Sequence, residues 1–248
     1  MNRIPWAFLP ASCWTPPYRL EGDEARHLAT VLRLGPGDPV RLFDGQGRTG
    51  TFAIAHMFRR GALDLAPLEA PRCAPRPHGI TLAPAWTTGG RRSFTVEKAV
   101  ELGAAQVWIW RAKRSQGKIP ADAVAGWTRQ AIAAAKQCAS PWLPTIRILH
   151  SLDELLQASH QAPGCTVLWE DAPPEVRITA ADVALDRVVA VGPEGGLEAA
   201  EVQAMAAAGW HVRSLGSHPL RAETASLYVL ALAHWHGLDP HSPSLEEV

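Results

Sequence analysis

The sequence predicts an α/β protein with a small β-rich domain at its amino end. Three observations lead there. Two short apolar runs, 188–191 and 212–215, each stop at a glycine and are followed by a loop and a helical pattern, which is the strand–loop–helix order of a parallel sheet. The first 73 residues instead alternate about an Asp44-Gly45-Gln46-Gly47 turn, as a hairpin does. Between them, 70–77 holds three prolines in eight residues and reads as a semi-rigid linker. The boundary is therefore placed near residue 73, giving domains 1–73 and 74–248.

In the first domain, 22–33 is a short helical pattern with Leu28, Val31 and Leu32 on one side. Strands follow over 39–43 and 49–58 as the two arms of the hairpin, with a third over 63–68. The second domain opens on a strand over 78–83 and a helix over 93–102 closed by Gly103, its apolar stripe being Phe94, Ala99 and Leu102. A strand over 106–110 leads into a loop, 111–118, that carries four cations in eight residues. A long helix over 121–138 turns Val124, Trp127, Ala131, Ala134 and Ala135 toward a core. Ser151-Leu152-Asp153-Glu154 is a capping box that starts another helix. A strand over 165–169 ends in Glu170-Asp171, and the tail after Gly237 is short, acidic and expected to be poorly ordered.

A chain of 248 residues, 47% apolar, is globular and long enough for one large domain or two ordinary ones. Its four cysteines are scattered, with no C-x-x-C pair and no histidine at zinc-ligand spacing, so free thiols and no metal are expected. No apolar run reaches membrane-spanning length and Pro5 and Pro10 break the start, so a cytoplasmic protein is expected. Net charge is zero but unevenly spread. Residues 1–73 hold nine cations and seven anions, 74–150 eleven and three, and 151–248 four and fourteen. The middle third could offer a basic face to a phosphate backbone, or pack against the acidic third.

Two loops stand out. The first, Gly192-Pro193-Glu194-Gly195-Gly196, precedes a helix expected over 197–209; its glycines admit positive φ and leave room for a ligand, and the helix start offers free N–H groups. The second runs from Gly216 to Thr224 and sets Arg221 and Glu223 just before a helix. Ordinary turns would also use glycine here. No Gly-Lys-Ser/Thr follows and no G-x-G-x-x-G is present, which removes the phosphate-loop and dinucleotide readings.

The set Val191-Gly192-Pro193-Glu194-Gly195-Gly196, Leu215-Gly216 and Leu220-Arg221-Ala222-Glu223-Thr224-Ala225 resembles the carboxyl-terminal signature of the RsmE family, the 16S ribosomal RNA uridine-N3 methyltransferases of the SPOUT superfamily. The resemblance implies S-adenosylmethionine as methyl donor, a trefoil knot forming the donor pocket, a homodimer, and 16S rRNA of the 30S subunit as partner. The run from His27 to Gly47 is similar to the family's PUA-like RNA-binding barrel, so Arg26, His27 and Arg33 are expected near RNA. Lys98, Glu101 and Arg114 stand at matching family positions, and Lys98, with Arg114 and Lys118 of the basic loop, is expected to meet RNA. Without the resemblance these are solvated surface charges.

In the implied chemistry the donor is held chiefly by backbone at Gly192, Gly196, Leu215, Gly216 and Leu220, with Trp169 from the third strand end; Leu215 and Leu220 would cover the adenine. Uracil N3 must lose its imide proton. Arg221 would stabilise the anion, and Glu194, Glu223 or a water would take the proton. The alternative for Arg221 is an ion pair with Glu194 or Glu223 that only stiffens the loop. Three departures from the family pattern are Lys136 in place of Glu, Ala139-Ser140 in place of Gly-Arg, and His218 in place of Arg. A different enzyme position, such as a ribose 2′-oxygen, and a non-catalytic RNA-binding protein are the competing readings.

Overall fold

The computed structural model describes residues 4–59, 61–76, 79–87 and 91–238. The chain forms two units. One comprises Met1–Arg76 with Ile132–Leu143, the other Pro77–Ala131 with Pro144–Val248.

In the first unit the elements are β1 (Trp6–Phe8), β2 (Tyr18–Leu20), α1 (Gly22–Arg26), β3 (Pro39–Phe43), β4 (Arg48–Met57), β5 (Leu63–Pro67) and β6 (Arg72–Cys73). The sheet runs β1-β3-β4-β5-β2, with β6 added to β4; only the β1–β3 pair is parallel. The hairpin over 39–58 is as expected. β1 and β2 are not, because each is three residues long and lies beside prolines, Pro5 and Pro10 about β1 and Pro16-Pro17 before β2. Leu9, Leu20, Leu28, Val40, Leu42, Phe52, Ile54 and Leu63 fill the core.

The helix expected over 22–33 is corrected. After α1 the backbone widens into a π turn over His27–Val31, in which Leu32 N donates to His27 O at 3.0 Å. The wider turn rotates the face. Leu28 stays fully buried while Val31 and Leu32 are 65% and 41% exposed. The turn 44–47 has a packing reason for its glycines beyond positive φ. A Cβ on Gly45 would lie 2.7 Å from Leu143 Cδ1, and one on Gly47 would collide with the Trp142 ring. Trp142 Nε1 also donates to Pro75 O at 2.9 Å. Lys136, the departure from the family pattern, donates to Glu24 Oε1 at 2.6 Å, and Glu24 Oε2 accepts from Phe8 N at 3.0 Å.

The second unit contains β7 (Thr81–Pro84), α2 (Arg91–Glu101), β8 (Gln106–Trp110), α3 (Ala123–Cys138, whose last residues belong to the first unit), β9 (Thr145–Leu149), α4 (Leu152–Ser159), β10 (Cys165–Leu168), β11 (Val188–Val191), α5 (Ala199–Ala207), β12 (His211–Arg213) and α6 (Ala222–Leu238). Its sheet is wholly parallel in the order β12-β10-β11-β7-β8-β9. Burial explains the strand sequences. β7 and β11 lie inside the sheet and are buried at every residue, so they read as unbroken apolar runs. β9 and β12 are short edges with exposed polar positions, and β9 escaped the sequence pattern for that reason.

Several expected bounds shift. The strand placed at 78–83 is Thr81–Pro84, and His78 lies outside the described residues, as does the tail from 239. The strand placed at 212–215 is His211–Arg213, since Ser214 already turns away to bridge Arg177. On α2 the buried face is Val96, Ala99 and Val100; of the expected stripe Ala99 is buried, Leu102 is half-buried just past the helix end, and Phe94 is 39% exposed, on a different side from Val96 and Val100. On α3, Trp127, Ala131, Ala134 and Ala135 are buried as expected and Val124 is half-buried. Ser151 caps α4, accepting from Glu154 N at 3.1 Å, while the Glu154 carboxylate accepts from His150 N at 2.8 Å. Among the described residues no helix is long and apolar enough to cross a membrane.

Candidate functional site

In a parallel sheet all carboxyl ends share one edge, and the loops there line any crevice. Here the ends of β10, β11 and β12 open onto a cavity of about 600 Å³, within the range that holds a cofactor-sized molecule. Leu168–Asp171 line it from β10, Val191–Glu194 and Gly196 from β11, and Ser214–Ala222 with Ala225 from β12 and the start of α6. The expected donor residues Trp169, Gly192, Gly196, Leu215, Gly216 and Leu220 all line it, as do Arg221 and Glu194. His218 lines it too.

Three glycines shape the walls. Gly196 takes φ +72° and a Cβ there would collide with the Glu170 carboxylate. Gly192 has no room either, since a Cβ would sit 2.9 Å from Leu197 Cγ. Gly216 takes φ +119° and has open space where its side chain would be. Only glycine adopts these positive φ values at little cost. The indole Nε1 of Trp169 is buried with no hydrogen-bond acceptor among the described residues. A buried N–H left without an acceptor costs about 1–3 kcal/mol.

The structure separates the two candidate bases. Glu194 is exposed on the cavity rim. Glu223 is in the first turn of α6 rather than in the loop ahead of it, and faces a second, much smaller cavity with Pro84, Thr87, Thr95 and Ile109. Arg221 stands just before α6, where its carbonyl accepts from Ala225 N at 2.8 Å. Among the described residues Arg221 forms no ion pair with Glu194 or Glu223.

The turn at 214–216 depends on a carboxylate that sequence reasoning missed. Asp182, 2% exposed, lies in a short 3-10 turn and accepts from Arg213 Nε at 2.9 Å and from Thr179 N and Oγ1 at 2.9 and 2.8 Å. Thr166 Oγ1 and His211 Nδ1 lie 3.2 Å from its other oxygen. Burial pushes this carboxyl up, but the hydrogen bonds from Arg213, Thr179 and His211 outweigh it and bring the pKa to about 2. The hub ties β10 and β12 together one residue before the cavity wall begins. Thr179-x-x-Asp182 is a capping-box pattern that could have flagged the local half of it; the partners on β10 and β12 leave no local signal.

The expected RNA contacts scatter. Arg26 and Arg33 are exposed in the first unit, Arg33 with φ +55°. Lys118 is exposed in the second. Lys98 donates to Glu101 at 2.8 and 2.9 Å and to Glu97 at 2.8 Å, which raises its pKa, chiefly through the Glu101 bond. Arg114, also exposed, lies against the glycine loop, donating from Nη1 to Gly195 O at 3.0 Å.

Residues 74–234 match the family model described as an RNA methyltransferase domain, and 20–67 the one described as an RNA methyltransferase PUA domain. The ribosomal RNA small subunit methyltransferase E of Mycobacterium tuberculosis is 30% identical over 219 residues, covering 85% of this chain and 83% of that protein. The Bacillus subtilis protein of the same name is 26% identical over 227 residues, covering 87% and 89%. The crystal structure of the Neisseria gonorrhoeae protein of that name, bound to S-adenosyl methionine, superposes with a TM-score of 0.77 at 26% identity, covering 92% of this chain and 96% of that one.

Proposed function

Because the chain belongs to the ribosomal RNA small subunit methyltransferase E family, we propose that it methylates N3 of a uridine in 16S rRNA with S-adenosylmethionine as donor. The observation that carries this is the cavity itself. Three strand ends converge on it, two of them shaped by glycines, and a cation and a carboxylate, Arg221 and Glu194, stand on its wall.

When bound, the donor supplies a methyl group already activated on a sulfonium. The residues of this chain orient it and exclude water. Backbone at Gly192, Gly196 and Gly216 would approach the donor closely, Leu215 and Leu220 would cover its adenine, and Trp169 would line its seat from the end of β10. Burying the apolar face contributes about 25 cal/mol per Å². Arg221 steadies the negative charge that develops on the uracil oxygens as N3 loses its proton. Glu194, on the cavity rim, is the assigned acceptor of that proton; Glu223, in the first helical turn, supports the wall from behind.

The amino-terminal domain, taken as ending near residue 73, holds RNA through Arg26 and Arg33, and Lys118 adds a phosphate contact from the other domain. A trefoil knot is supported by the strand order. β12 follows β11 but sits beside β10, and α6 then packs on β7 and β11, the return of the chain end that such a knot requires. A homodimer is supported by α6, whose Thr224, Tyr228, Ala231 and Trp235 form an exposed stripe at helical spacing, Trp235 being 74% exposed.

Incubating the protein with tritiated S-adenosylmethionine and undermethylated 30S subunits, then digesting the rRNA to nucleosides, tests the reading. Label in 3-methyluridine is expected. Label on a ribose, on another base, or nowhere overturns it.

A further inference from the structure

The loop after β8 carries four cations, and as sequence it reads as a phosphate-binding strip. Its geometry is different. Arg111 Nη1 donates to Gly117 O at 2.8 Å, and Ser115 exchanges bonds of 3.1 Å with Ala112, so the loop folds on itself. It is then fastened at two points to the glycine loop and the start of α5. Lys113 N donates to Glu201 Oε1 at 2.8 Å. Glu201, only 8% exposed, uses its other oxygen to accept from Glu198 N at 3.0 Å and so completes the cap of α5. The Arg114 guanidinium donates to Gly195 O at 3.0 Å and has Glu198 Oε1 3.8 Å from its Nε. Its aliphatic stem lies over Gly195, where a Cβ would be 3.4 Å from Arg114 Cβ.

Gly195 stands between Glu194 and Gly196, both of which line the cavity. We infer that Arg114, with Glu201 beneath it, is a positioning residue for the methyl-donor site, locking the Gly192–Gly196 loop so that Glu194 and Gly196 face the donor. This rests on the donor reading above and gives Arg114 a task other than holding RNA. Arginine suits it because one planar fork reaches a carbonyl and a carboxylate together, which a lysine ammonium on its flexible stem cannot do with the same geometry. Arg114, its side chain 51% exposed, is open to solvent as Lys113 and Lys118 on the same loop are, but among the described residues it alone of the three has its cationic group bonded to the glycine loop.

Donor binding by calorimetry and rRNA binding across a salt series, on the wild type and on Arg114→Ala, Arg114→Lys and Glu201→Gln, test this. Loss of a charge-assisted bond predicts donor Kd about tenfold weaker for R114A, with R114K between it and the wild type and E201Q weakened in the same sense. RNA affinity and its salt slope stay at the wild-type values. A phosphate contact predicts the reverse, an unchanged donor Kd with a salt slope reduced by about one, and that result overturns the inference. R114K keeps the stem over Gly195 and carries the test should R114A not fold. A wild type that fails to bind the donor removes the underlying reading, whereas variants that bind it as well as the wild type remove only the role of Arg114.

Discussion

Replacing Asp182 with alanine is expected to destabilise the second unit and to loosen the donor site together. The carboxylate is 2% exposed and is the anion that Arg213, itself 24% exposed on its side chain, faces at 2.9 Å. Removing one member of a buried pair costs about 3–5 kcal/mol because the other charge is left without a counterion. Arg213 keeps some access to water, which places the loss near the lower bound, about 3 kcal/mol. For a unit of this size each kcal/mol moves the melting temperature by about 2–4 °C, so a drop of about 10 °C is expected. Urea denaturation at neutral pH measures the loss directly, and calorimetry should show weaker donor binding, because β12 delivers Ser214–Gly216 to the cavity wall. The pH dependence checks the cause. The folded carboxyl lies at about 2, below its ordinary 3.8. A depressed acid contributes stability that is complete above the unfolded value and is lost as pH falls through the folded one. The gap between wild type and D182A should therefore hold above about pH 4 and narrow between there and pH 2. A variant within about 0.5 kcal/mol of the wild type at neutral pH, the range of an ordinary surface change, or a gap indifferent to acid, would refute the hub.

Arg221→Ala should lower turnover on the order of 100-fold, as loss of an anion-stabilising donor does, while donor Kd stays close to wild type; equal losses in both would remove its role at the base. Gly196→Ala should weaken donor binding. Positive φ alone costs about 1–2 kcal/mol, and Glu170 must also move, so adding Glu170→Ala should restore part of the affinity but not all of it. His218→Arg, returning the family's residue to the cavity rim, should tighten rRNA binding and steepen its salt slope by about one; no change in a salt series would mean that this position shapes the loop instead.

The sequence by itself determined what is local. Glycines at 192, 196 and 216 mark backbone that side chains cannot follow, and the apolar runs of β8 and β11 mark strands buried on both faces, so the strand-end cavity was legible before any coordinates. The residues expected to meet the donor through their backbone line this cavity, because a loop's conformation is written mostly in its own residues. Only the tertiary structure decided the rest. It put β12 beside β10, moved Glu223 into a helix facing a different cavity, turned Arg114 onto Gly195, and gathered β10, β12 and a 3-10 turn around Asp182. It also met Lys136 with Glu24, 112 positions away. Each of these joins residues far apart in the chain through hydrogen bonds or charge. Such a contact has no periodicity, and either side chain seen alone reads as an ordinary solvated ion.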